Sequence, residues 1–303
     1  MNQTGKQRSV AGLDLPFSPN EKLQRILRSA LGTPHSTCDT AGLPWTASYF
    51  DLDRVDLFTQ ATDPQQQQIL QIVNRNLLEE AYFVEKAGMG YMANMVQVAE
   101  TLEERMLYSL FCADESRHLS QIRGFLMDEP EKTQDPFFQL LAELAESGDR
   151  SVLLFVIQVV LEGWGLSHYR RLAKHCAVPE LASLLLGFLQ EESRHHATGV
   201  TLFQEMTVSP VAMDAVTEIL TRFLQMVQVG PQAVVAAIAQ TLGHLSMSQK
   251  VTVFEQLDTQ VHSAGRLAVL QNLMQTGGGG AIIARLHEKG AFEPLPATIC
   301  AAI

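Results

Sequence analysis

An internal duplication constrains this chain more than any other feature. The tetrapeptide Glu-Ser-Arg-His occurs twice, as Glu115-Ser116-Arg117-His118 and Glu192-Ser193-Arg194-His195, and each copy follows an acid, Asp114 or Glu191. Thirty positions before each tetrapeptide's glutamate stands another glutamate, Glu85 or Glu162, with a glycine three residues later, Gly88 or Gly165. On a helix, carboxylate and imidazole three residues apart point the same way. One such pair is weak evidence of anything; two, with matching upstream partners, define a pattern.

Helix signals place the pattern on helices. Ser18-Pro19-Asn20-Glu21 combines a capping box with an early proline, and Gly32 supplies a stop. The stretch from Gly32 to Tyr49, with Pro34 and Pro44, reads as irregular. Asp63-Pro64 opens a long helix ending near Ala99, and Thr101 with Glu104 opens the next. Further starts are Asp135-Pro136, Asp149, Pro179, Ser209-Pro210 and Gly230-Pro231, giving at least seven helices and an all-α fold. Gly277 to Gly280 reads as a flexible connector, since the Lys-Ser/Thr of a phosphate-binding loop is missing. Gln65 to Gln68 reads as a solvated first turn.

Residues on two antiparallel helices share a height when they lie equally far from the connecting turn. Glu85 and Glu115 flank the turn at Ala99 to Thr101 in this way, as Glu162 and Glu192 flank that at Cys176 to Pro179. Glu79 and Glu80 are rivals on the first helix, displaced by about 8 Å at 1.5 Å per residue. Four helices then offer Glu85 and Glu162, plus Glu115 with His118 and Glu192 with His195. That is the ligand set of a dinuclear carboxylate site in a four-helix bundle. Its four carboxylates carry a charge that two divalent cations neutralise, and without metal they would repel in a low-dielectric core. Oxygen and imidazole donors suit iron, with manganese or a mixed manganese/iron pair as alternatives.

Composition removes other classes. The chain has 303 residues, 46% hydrophobic and 18% charged, enough for a substantial core. A net charge of −11 without a basic block argues against nucleic acid as a partner. The polar N-terminus, Met1 to Ser9, lacks a secretory pattern. The apolar window Val152 to Leu161 is interrupted by Gln158 and shorter than the roughly 20 residues of a membrane span, so it reads as a core helix. Cys38, Cys112, Cys176 and Cys300 form no Cys-x-x-Cys pair. A cytoplasmic protein without membrane partners is the expectation.

At these residues the chain resembles the ferritin-like superfamily of diiron and dimanganese carboxylate proteins. The paired [Asp/Glu]-Glu-x-Arg-His boxes look most like those of acyl-carrier-protein desaturases, bacterial multicomponent monooxygenases and ribonucleotide reductase small subunits. The resemblance implies a ferritin-like bundle over residues 63–206, an N-terminal extension of one or two short helices over 1–62, and a C-terminal helical extension over 207–303. It implies a non-haem diiron oxidase or oxygenase that uses dioxygen on a small, largely apolar substrate, an external electron donor, and a homodimer as one candidate assembly. Ferroxidase or metal storage, and peroxidase or manganese catalase activity, are the alternatives. In this resemblance Asp114 and Glu191 orient the opposing histidines, while Arg117 and Arg194 hold those acids. Ile122 stands where a radical tyrosine commonly lies in the reductases, which argues against radical storage. Tyr108 and Tyr169 share the metal-facing side, either as packing or as redox groups. Tyr82, Gly88, Met89, Phe111, Val159, Trp164, Gly165, Leu166 and Phe188 surround the ligands, as core or as a pocket opened by the two glycines. His168, His175 and His196 stand nearby as additional ligands or as bystanders.

Overall fold

The computed structural model describes residues 9–32, 42–130 and 135–303. Most of the polar N-terminus, Cys38 and much of the expected irregular stretch lie outside them. The described residues contain no strand, and the fold is an all-α helical bundle. In chain order the helices are α1 (Glu21–Leu31), α2 (Asp56–Thr59), α3 (Asp63–Val98), α4 (Leu102–Arg123), α5 (Pro136–Ala145), α6 (Arg150–His175) and α7 (Pro179–Gln204). They continue with α8 (Pro210–Gln228), α9 (Gln232–Leu242), α10 (Met247–Gln256), α11 (Thr259–Thr276), α12 (Gly280–Glu288) and α13 (Ala297–Cys300).

Local signals account for most boundaries. Thr101 accepts from the Glu104 N–H, Asp135 from Phe137 and Ser209 from Ala212, each satisfying a donor that the helix leaves unpaired. Gly32 ends α1 at φ 85°, open to glycine without strain. Two readings shift. The cap of α1 is Asn20, whose side chain accepts from Lys22 and Leu23, because Pro19 holds the chain extended ahead of it; Ser18 instead accepts from the Asn20 N–H. Within the expected irregular stretch, Ala47–Phe50 forms a 3₁₀ turn.

The chain divides into two compact units, residues 1–39 with 78–150, and residues 40–77 with 151–303. In the first, the later part of α3 packs with α4 and α5. The Phe83 and Phe138 rings lie 4.9 Å apart, and Asn94 donates to the Ala145 carbonyl at 3.0 Å. Arg150 binds Glu104 at 2.7 Å and also pairs with Glu100, tying down the α3–α4 turn.

In the second unit, α6 and α7 pack together across the turn at Cys176–Val178. Trp45 is locked beneath them: its ring donates to the Leu172 carbonyl at 3.0 Å, and its backbone N–H donates to Asn74. A separate apolar cluster joins Phe58, Ile69 and Val73 with Ile238, Phe254 and Cys300.

Helix α6 departs from expectation. Leu153–Glu162 is π-helical, flanked by α-helical turns. With the turns on either side it forms a 26-residue helix that is long and apolar enough to cross a membrane, so the length argument against a span does not hold. Burial supports the core reading: 61% of its most apolar window is buried within the protein. The glycine run is likewise no slack connector. It forms the tight turn between α11 and α12, where side chains at Gly277 and Gly279 would strike Val159 and Phe155. Packing against the π-helical segment, rather than freedom of movement, sets its composition.

Candidate metal centre

On α4 the buried face runs through Glu104, Tyr108, Phe111, Glu115, His118 and Ile122, spaced as one helical stripe. On α7 it runs through Leu181, Leu185, Phe188, Glu192, His195, Gly199 and Phe203. Both tetrapeptides therefore place a carboxylate and an imidazole inside an apolar stripe. Desolvation penalises an ionised carboxylate there unless an opposite charge compensates.

In the first unit, Glu85, Glu115 and His118 offer ligand atoms that all lie within 4.8 Å of one another. Glu85 and Glu115 are 1% and 4% exposed, and His118 is fully buried. His118 Nδ1 stands 3.1 Å from Glu85 Oε2. Helix α3 approaches closely because residue 88 has no side chain: a Cβ there would come within 2.5 Å of Glu115 Oε2. Gly88 therefore leaves no open pocket; the Glu115 carboxylate fills the space. Cys112, half-buried, reaches the Met89 carbonyl from the next turn. Burial raises its thiol pKa, and the Glu115 charge adds to that.

In the second unit, Glu162, Glu192 and His195 likewise converge within 4.8 Å. His195 Nδ1 lies 3.2 Å from Glu192 Oε2 on the same helix. Glu162, at the end of the π-helical segment, is half-buried. A side chain at Gly165 would meet nothing within 4 Å. The two glycines of the duplicated pattern thus play different parts.

Among the flanking residues, Asp114 is buried and paired with Arg117 on its own helix. Glu191 is half-buried and Arg194 is exposed. Phe111 and Phe188 hold equivalent places in the duplication, but their tyrosine partners do not: Tyr108 meets Phe111 edge-on at 5.9 Å from the same helix, whereas Tyr169 on α6 meets Phe188 on α7 at 5.8 Å. Val159 is fully buried, while Met89, Trp164 and Leu166 are half-buried. The His175 ring lies tilted against Tyr49 with centroids 5.9 Å apart, and His196 bonds to the Gln158 backbone. Burial, with the charges of Arg266 and Arg171, pushes His168 down to about 4, so it is neutral at pH 7.

Lys86 was not singled out by sequence reasoning. It is buried beside Glu85, donates to the Leu15 carbonyl at 2.8 Å and lies 5.5 Å from the centre of the Tyr82 ring. Burial lowers its pKa, and burial together with the Glu129 charge pushes the Tyr82 phenol up to about 12. The available signal was a cation adjacent to a ligand inside an apolar stretch. Glu79 and Glu80, the rival acids, are half-buried and belong to neither cluster.

The chemistry of both donor sets fits a divalent metal. Each joins two carboxylates and one imidazole at ligand spacing in a largely buried setting, where a cation would offset the carboxylate charge. No family model, curated protein or solved structure matches the chain, so the metal-site reading rests on these residues.

Proposed function

We propose that the two clusters are halves of one dinuclear centre, and that the protein is a dioxygen-activating, non-haem diiron oxidase or oxygenase of ferritin-like type. Its substrate is a small, largely apolar molecule. One observation carries the reading: each copy of the duplicated motif is gathered into a Glu, Glu and His cluster within 4.8 Å, although its members come from positions 33 residues apart. Duplicated halves of this composition are what a pair of metal ions in a helical bundle requires.

Glu85, Glu115 and His118 would hold one side of the ion pair, and Glu162, Glu192 and His195 the other. Bound iron would supply the redox capacity for dioxygen reduction, with further electrons from an external donor. The protein's own part is positional. The carboxylates balance the cationic charge, the buried faces of α4 and α7 keep bulk water away, and the space beside Gly165 admits an apolar ligand.

Oxygen consumption by the iron-loaded protein tests the reading. Consumption should rise several-fold with a suitable apolar substrate at a fixed iron content of about two per chain. Iron uptake continuing well beyond two per chain, with a growing ferric mineral, would replace this reading with storage.

A further inference from the structure

We propose that Gln158 and His196 form a reciprocal latch that fixes Glu162 against His195, making Gln158 a positioning residue of the second half of the centre. The role rests on the dinuclear reading above.

Gln158 is the single polar residue between Leu153 and Leu161, and it is fully buried. A primary amide buried without hydrogen bonds is strongly disfavoured, so its placement needs a partner. Its Nε2 donates to the main-chain carbonyl of His195 at 3.1 Å. In the other direction, His196 Nδ1 lies 2.9 Å from the main-chain carbonyl of Gln158. A carbonyl only accepts, so Nδ1 carries the proton. Two hydrogen bonds of opposite sense therefore join residue 158 to two consecutive residues of α7, one of which is the candidate ligand His195.

The surrounding backbone is shaped for this contact. A side chain at Gly199, one turn after His195, would collide with the Gln158 side chain. The His196 ring packs against Gly163, where a Cβ would come within 2.8 Å of Cε1. Glu162 is consequently bracketed, with Gln158 about one turn before it and Gly163 immediately after. The segment carrying both Gln158 and Glu162 is π-helical, a geometry with less regular support than an α-helix and often found at functional sites. Cross-links to a regular helix at this point hold its ligand in place.

Manganese(II) titration and amide hydrogen exchange on the 303-residue chain test the latch. Gln158→Met keeps the volume and removes the donor; His196→Leu removes the second bond, and His196→Asn keeps a donor near the position of Nδ1. Wild type should bind two ions per chain. Gln158→Met and His196→Leu should weaken one of the two by about 10–100-fold, the usual effect of losing a group that orients a ligand, and leave the other unchanged. Both should also speed exchange across residues 153–162 in the metal-free protein, and His196→Asn should restore both properties. If Gln158→Met does not fold, the His196 pair decides the matter through the same two readouts. Wild-type affinity for both ions in Gln158→Met, or in His196→Leu, would overturn the latch while leaving the dinuclear reading intact. A wild-type protein that binds no manganese or iron would instead overturn the dinuclear reading, and the positioning role with it.

Discussion

In the first cluster a histidine meets a carboxylate across two helices, His118 with Glu85 at 3.1 Å; in the second the matching contact lies within one helix, between His195 and Glu192 at 3.2 Å. The helices that bring the upstream glutamates differ too. Glu85 rides on a regular α-helix and is buried, whereas Glu162 ends a π-helical segment and is half-buried. Beside them, Gly88 is occupied by the Glu115 carboxylate and Gly165 faces open space. One motif, used twice, yields one close-packed cluster and one with room beside it. In this chain the two copies share their donor residues but not the backbone geometry that delivers them.

Substituting the two glycines should break this comparison most sharply. Gly88→Leu drives a side chain into Glu115, and overpacking of this kind costs roughly 1–3 kcal/mol. We expect a lower melting temperature together with loss of metal from the Glu85 cluster. A stable Gly88→Leu protein with full metal content would show that α3 and α4 are not in the close contact described.

Acid should act on the unit that holds the second cluster. His168 has its pKa lowered from 6.5 to about 4 by burial and by Arg266 and Arg171. Above pH 6.5 both folded and unfolded states are neutral at this residue, and its contribution is fully present. Between about 6.5 and 4 the unfolded chain takes up the proton first, so stability falls as pH falls, by on the order of 2 kcal/mol. Urea unfolding of wild type and His168→Gln at pH 7 and pH 4.5 measures this; an unchanged pH dependence in the variant would remove His168 from the account.

Gly165→Leu should have a smaller and opposite effect on stability. With nothing within 4 Å of the added Cβ, the gain in helix propensity stabilises by up to about 1 kcal/mol. Metal content should stay at the wild-type level while binding of apolar ligands is lost. An unfolded variant would mean that the glycine serves close packing instead.

The two turns sharpen the contrast at the lowest level. Thr101 caps α4 with its side chain, whereas α7 starts from Val178 with no side-chain cap and relies on Pro179. Thr101→Ala should cost about 1 kcal/mol, read as a shift in the denaturation midpoint. Val178→Ala should show only the loss of a buried apolar side chain; no capping loss is available there.

Much of this organisation was legible in the sequence because its determinants are local. Proline after Asp63, Asp135 and Ser209 marks helix starts wherever the chain is placed, and the spacing of Glu85, Glu115 and His118 implies convergence once the turn at Ala99 is known. The π-helical geometry was not legible, since ten mainly apolar residues fit either helical form and packing selects between them. Gly88 and Gly165 look alike in sequence and differ only in what α4 and α7 place nearby. The run at Gly277 has the composition of a linker, yet Val159 and Phe155 require its small residues. Apart from the cap of α1, which is local, these misses depend on what residues far apart in the chain place, or do not place, beside one another.

Metal analysis of the purified protein after loading with iron(II) tests the central claim most directly. Wild type and Glu80→Ala should each hold about two ions per chain, while Glu85→Ala and Glu192→Ala should each hold fewer, because six donors from two clusters match a dinuclear site. Wild-type protein saturating at zero, or Glu85→Ala and Glu192→Ala retaining both ions at full affinity, would contradict it.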